Sequence, residues 1–185
     1  NGELDFCEGK LRLVSSAGKI LEEFEPMKYL SIIDEYTEDW TYLKFPYYKK
    51  LGRPEGLYRV GPLSRLNVAD KINTPLAGAE LKEFKKLGRN GIVEESFYYH
   101  YARVIELLHL AERMKELLED KIICGTRIRA TSNKFQPESV GVVEAGRGTL
   151  IHHYKVDKTG KVQKINLIIP TTQNNPAMNQ AIKET

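Results

Sequence analysis

Across residues 94–119, Phe97, Tyr101, Val104, Leu108, Ala111, Met114 and Leu118 recur at spacings of three and four. That period puts them on one stripe of an α-helix, and a helix of such length predicts a spine against which the other elements pack. The opposite face carries Glu106, Arg113, Lys115 and Glu116 and reads as the solvated side. A shorter amphipathic helix is expected over residues 79–87, closed by Gly88 and Gly91.

Elsewhere the apolar period is two. Residues 9–25 read as a hairpin, with Lys10-Leu11-Arg12-Leu13-Val14 alternating and Ser15-Ser16-Ala17-Gly18 supplying the turn. After Pro26 a short helix is expected over residues 27–36, with Leu30, Ile33 and Tyr36 on one face. Residues 42–50 then run into Gly52, Pro54, Gly56, Gly61 and Pro62, a punctuation that predicts an extended, loop-rich connector. Beyond Gly125, residues 126–129 alternate and residues 140–145 are β-rich. Residues 150–156 and 161–169 flank Asp157-Lys158-Thr159-Gly160, which predicts a second hairpin. The expected fold is α+β in one domain over residues 1–185: a long central helix, shorter helices, two β-hairpins and long irregular connectors.

Composition removes several function classes. With 185 residues, 41% hydrophobic and 29% charged, the chain is long and apolar enough to bury a core. Lys+Arg 28 against Asp+Glu 25 leaves a net charge of +3, too small to argue for nucleic acid. The aromatic and basic residues of 42–50 therefore read as a packed wrap rather than a single-strand platform. No apolar run has the length of a membrane span or a signal peptide. Opening at Asn1 and ending in a polar tail at Thr185, the chain is expected to be a soluble piece with cut rather than natural boundaries. Cys7 and Cys124 share no motif, and the sequence contains no Cys-x-x-Cys, which suits a reducing compartment.

The histidines give no metal pattern. His100 and His109 do not share a helix face, and His152 and His153 are strand neighbours that point to opposite sides. Glu144-Ala145-Gly146-Arg147-Gly148 is more informative. An arginine between two glycines at a corner can bring a planar fork of donors against a small anion, because nothing bulky holds the backbone away. A plain turn with a solvated arginine is the competing reading. Pro170-Thr171-Thr172-Gln173-Asn174-Asn175-Pro176 is a second polar cluster that loop chemistry alone explains. The intervening hairpin would nevertheless return it towards Arg147.

Three blocks of the chain resemble the large subunit of cytoplasmic, multimeric [NiFe] hydrogenases: the NAD-reducing bidirectional enzymes and their methyl-viologen-reducing and coenzyme-F420-linked relatives. They are Leu43-Lys44-Phe45-Pro46-Tyr47-Tyr48 through Leu57-Tyr58-Arg59-Val60-Gly61-Pro62-Leu63-Ser64-Arg65-Leu66-Asn67-Val68, then Phe97-Tyr98-Tyr99-His100-Tyr101-Ala102-Arg103, then residues 144–179. The last is the most specific, an arginine-glycine turn leading to His-His-Tyr and then to Pro-Thr-Thr-Gln-Asn-Asn.

The resemblance implies a parent that interconverts hydrogen with protons and electrons at a Ni-Fe centre carrying CO and cyanide ligands, with a structural divalent ion nearby. It implies two partners, a diaphorase-like electron-transfer module and an iron-sulfur small subunit, with no nucleic acid. The family binds its metal through a Cys-x-x-Cys pair near each end. Both pairs are missing here, so this piece alone is expected to hold no cofactor and to be inactive. By resemblance Arg147 is the catalytic arginine over the metal centre. Gly146, Arg147, Pro170 and Thr171 line the cofactor, and the Leu167 carbonyl faces the divalent ion. A guanidinium stays protonated, so the role read for Arg147 is hydrogen bonding and electrostatics. The family has proline where this chain has Gly146, which loosens the corner. That departure keeps open a second reading, a metal-free hydrogenase-like scaffold or assembly protein.

Overall fold

The computed structural model describes residues 2–126, 128–129 and 135–184. The architecture is α+β. Strands β1 (Leu11–Val14) and β2 (Ile20–Phe24) form the first expected hairpin, with Leu11 opposite Phe24. A 3-10 turn, Pro26–Lys28, runs into the short helix α1 (Tyr29–Ile32). The helix expected to continue to Tyr36 stops there, because Ile33 turns extended (φ −106°, ψ 135°) and opens β3 (Ile33–Glu38). Side chains branched at Cβ, such as Ile32, Ile33 and Thr37, favour that switch.

The connector expected over residues 42–50 is instead strand β4 (Thr41–Tyr48), paired antiparallel with β3. Pro46 lies opposite Glu35 in this two-stranded sheet, where each strand has an open edge that tolerates a residue without N–H. Helix α2 (Pro62–Val68) was hidden in the same Gly/Pro-rich region. Gly61 is its N-cap and Pro62 its first residue, a position where a missing N–H does no harm. Helix α3 (Pro75–Lys86) likewise starts on a proline, earlier than the expected residue 79.

Helix α4 (Tyr98–Glu119) is the expected spine, but it presents a different face to the core. Its buried residues are Ala102, Ile105, Glu106 and His109, whereas Phe97, just before it, is 84% exposed, and Val104, Met114 and Leu118 are also exposed. Only Tyr101 and Leu108 of the expected stripe pack on the core. The side expected to be solvated thus contributes Glu106 to the interior. Two contacts select it: Glu106 meets Arg65 of α2, and His109 Nδ1 lies 2.9 Å from the Thr74 hydroxyl before α3.

The second expected hairpin gains a strand. Strands β5 (Glu138–Ala145), β6 (Gly148–Val156) and β7 (Val162–Ile168) form an antiparallel sheet in that order. The strand expected over residues 126–129 is not formed at Thr126, Ile128 or Arg129, and Arg127 lies outside the described residues. Pro170 to Pro176, expected as loop, opens α5 (Pro170–Glu184), which also takes in the polar tail as far as Glu184.

Two apolar clusters result. One joins α2, α3 and α4 through Leu63, Leu66, Leu81, Phe84 and Ile105. The other joins the sheet β5–β7 to the first hairpin and α1 through Phe24, Tyr29, Ile151 and Ile168. A polar hub closes the second cluster. The Tyr29 hydroxyl receives Asn166 Nδ2 (2.9 Å) and meets His153 Nδ1 (3.0 Å), and His153 Nε2 reaches Glu138 (2.8 Å). The Tyr29 hydroxyl, the His153 ring and the Glu138 carboxylate thus form one chain of hydrogen bonds.

Candidate functional site at the Arg147 turn

Strands β5 and β6 close on the Ala145–Gly148 pair and leave Gly146 and Arg147 as the turn. Gly148 has φ +132°, and a Cβ there would lie 2.3 Å from Val60 Cγ2 and 2.8 Å from the Gly61 nitrogen. Gly61 has φ +109°, and a Cβ on it would lie 3.0 Å from the Arg147 carbonyl oxygen. Two backbones therefore touch where the hairpin turn meets the start of α2, and only glycine fits on both sides. Gly146 differs. Its φ is not positive and a Cβ would meet nothing within 4 Å, so the local backbone does not require glycine there.

The first turns of α5 hold the hairpin from the other side. Buried Gln173 donates Nε2 to the Thr149 carbonyl at 2.6 Å and to the Ile169 carbonyl at 3.2 Å. Asn174 donates Nδ2 to the Arg147 carbonyl at 3.2 Å and accepts the Val60 N–H on Oδ1 at 2.9 Å. Thr172 is spent internally, its hydroxyl on the Ile169 carbonyl.

Below the turn, Arg65 is buried among carboxylates. Its Nε and Nη2 fork onto Glu106 at 2.6 and 2.8 Å, while Nη1 reaches Glu144 at 3.0 Å and the Ala145 carbonyl at 2.9 Å. The Thr149 hydroxyl completes Glu144 at 2.5 Å. Burial opposes the charge on Arg65, but Glu106 and then Glu144 outweigh it and hold the guanidinium above its ordinary pKa.

The sequence-derived residues sit in this frame as follows. Arg147, Gly146 and Thr171 are exposed, and Pro170 is buried. Among the described residues the Arg147 guanidinium and the Thr171 hydroxyl have no hydrogen-bond or ion-pair partner, so both donors are available. Thr171 shares a helix face with Asn174, three residues on, and Asn174 touches Arg147; the two segments do converge. Leu167 lies further off, on edge strand β7 opposite His152. The residues that fix the turn, Arg65, Glu106, Glu144, Gln173 and Asn174, were not singled out from sequence. The Gly-Pro step at 61–62 was the available signal for the docking surface. Among the described residues no helix is long and apolar enough to cross a membrane.

The helical layer and the three-stranded sheet thus meet at a glycine contact, with Arg147 at the joint. Residues 14–184 match the nickel-dependent hydrogenase family, and the chain belongs to it. It is 46% identical over 185 residues to a subunit of the vhu F420-non-reducing hydrogenase of Methanococcus voltae, covering 100% of this chain and 44% of that one. It is 42% identical over 182 residues to the NAD-reducing hydrogenase HoxS subunit beta of Cupriavidus necator, covering 97% of this chain and 37% of that relative. A crystal structure of NAD+-reducing [NiFe]-hydrogenase in the H2-reduced state superposes with a TM-score of 0.90 at 41% identity, covering 97% of this chain and 40% of the other. The chain thus spans about two fifths of the length of the relatives it matches.

Proposed function

We propose that this chain forms one wall of the nickel-iron site of a hydrogenase large subunit, and that the whole protein reversibly oxidises hydrogen. Its electrons would pass through the iron-sulfur clusters of a small subunit to a diaphorase-like module and NAD or a similar acceptor. The NAD-reducing relative and the matching structure support that partner set, and a cytoplasmic setting suits it. One observation carries the site: an arginine with an unengaged guanidinium stands on a turn whose backbone is held by α2 and α5 together.

The nickel-iron centre, when bound, supplies the redox chemistry. The described residues offer that group donors rather than ligands, since no cluster of three or more His, Cys, Asp or Glu among them could hold a metal ion. Arg147 presents a planar fork and Thr171 a hydroxyl, both suited to the cyanide ligands that the family resemblance implies. An anionic acceptor withdrawn from water is costly unless charge-assisted donors meet it. Buried Pro170 and open Gly146 flank these donors, and the Leu167 carbonyl is assigned to the structural divalent ion.

The test is Arg147→Lys in the full-length enzyme. Lysine keeps the charge but not the fork, so hydrogen oxidation should fall about 100- to 1000-fold, the effect of losing one preorganised donor. Nickel content should stay normal. Unchanged turnover removes Arg147 from the site.

A further inference from the structure

We infer that Asn174 is a positioning residue for Arg147, its side-chain amide holding in place the backbone from which the guanidinium extends. The inference rests on the proposed role of Arg147. The peptide linking Arg147 to Gly148 leads directly into the Ala145–Gly148 pair that closes the β5–β6 ladder, and its carbonyl is the acceptor that Asn174 takes up. Two other carbonyls of the hairpin, those of Ala145 and Thr149, are held by Arg65 and Gln173. Among the described residues only Asn174 donates to the Arg147 carbonyl itself.

Its other end is anchored firmly. Oδ1 accepts the Val60 N–H, the Val60 carbonyl accepts the Tyr99 hydroxyl of α4 at 3.2 Å, and neighbouring Arg59 reaches the Glu94 carbonyl at 2.9 Å. One amide thereby ties the carbonyl of Arg147 to the helical core. Loss of that tie would let the turn lift from α5 and carry the guanidinium with it. Because catalytic donors act through placement, about 1 Å of displacement can lower a rate about 100-fold.

The experiment is a double-mutant cycle in the full-length, metal-loaded enzyme, using Asn174→Asp and Arg147→Met. Aspartate keeps the shape and the acceptor for Val60, but sets a carboxylate oxygen against the Arg147 carbonyl. Alone it should lower kcat for hydrogen oxidation about 10- to 100-fold with KM for hydrogen unchanged. It should also shift the infrared stretching bands of the iron-bound cyanides. In the Arg147→Met background the same substitution should change neither turnover nor bands further, because the group it acts through is gone.

Equal losses in both backgrounds, or unmoved cyanide bands in the single variant, overturn the positioning role. If Asn174→Asp fails to retain nickel, Asn174→Ala is read in the same cycle. Nickel loss from both assigns Asn174 to folding and overturns the role as well. Failure of the underlying reading is distinct: Arg147→Met would then itself leave turnover and cyanide bands unchanged, and the inference would fall with it.

Discussion

Arg65 and Glu106 meet in a two-pronged contact, Nε on Oε1 at 2.6 Å and Nη2 on Oε2 at 2.8 Å, with both side chains over 90% withdrawn from water. The pair joins α2 to α4, and the remaining Nη1 extends the link to the end of β5. Arg65→Met leaves Glu106 buried without its partner, so the large subunit should lose about 3–5 kcal/mol of stability. Adding Glu106→Leu should recover part of that, because a buried pair is costly mainly when halved. Denaturant midpoints of the two variants decide the matter. A loss below about 1 kcal/mol for Arg65→Met, the level of a surface pair, would show that the contact is not buried in the working protein.

The two glycines around Arg147 should behave oppositely. Gly148→Ala combines a left-handed φ with a Cβ 2.3 Å from Val60, and about 1–3 kcal/mol of strain is expected, with hydrogen oxidation reduced as the turn lifts from α2. Gly146→Ala enters open space and should stay within about 0.5 kcal/mol of the parent. Thermal unfolding of both, run in parallel, checks the contrast. Equal effects would refute the docking of this turn against Val60 and Gly61.

How much of this was legible in the sequence differs from element to element. The β6–β7 hairpin was readable because Asp157 builds its own turn, Oδ1 accepting the Thr159 and Lys161 N–H groups at 2.8 and 3.1 Å. The existence of α4 was readable from its period, but its buried face was not. Apolar residues occur nearly all round that helix, so the choice fell to Arg65 and Thr74 on other elements. Helix α2 was obscured because Gly61 and Pro62 act equally well as breakers and as a helix start. Arg147 stood out through its glycines, although only Gly148 is needed by the backbone. Asn174 was invisible because a polar run already had a sufficient local explanation, and its two partners lie at Val60 and Arg147.

The Tyr29 hydroxyl serves both Asn166 and His153 in the interior of the sheet cluster. Tyr29→Phe keeps the ring and its edge contact with His153 but takes the hydroxyl partner from buried His153 Nδ1 and from half-buried Asn166. A loss of about 1–3 kcal/mol is expected for leaving such groups unsatisfied. His153→Phe in the Tyr29→Phe background should be less damaging than in the parent, since the polar partner has already been lost. Additive unfolding free energies across the four proteins would show that the two side chains are not coupled.

Glu35 gives the pH dependence a definite sign. Burial raises its carboxyl above the ordinary value, with Asp34 adding to the rise and Lys44 and Asn166 opposing it. The native state therefore holds this proton more tightly than the unfolded chain does. Its contribution to stability is full below the unfolded glutamate pKa and declines as pH rises through the folded one. Glu35→Gln removes that titration without changing the shape, so the variant should lose the decline in weak acid and gain stability relative to the parent as pH approaches neutrality. Unfolding midpoints followed from acid to neutral pH provide the measurement. Parallel curves for variant and parent would show that Glu35 ionises with equal ease in both states.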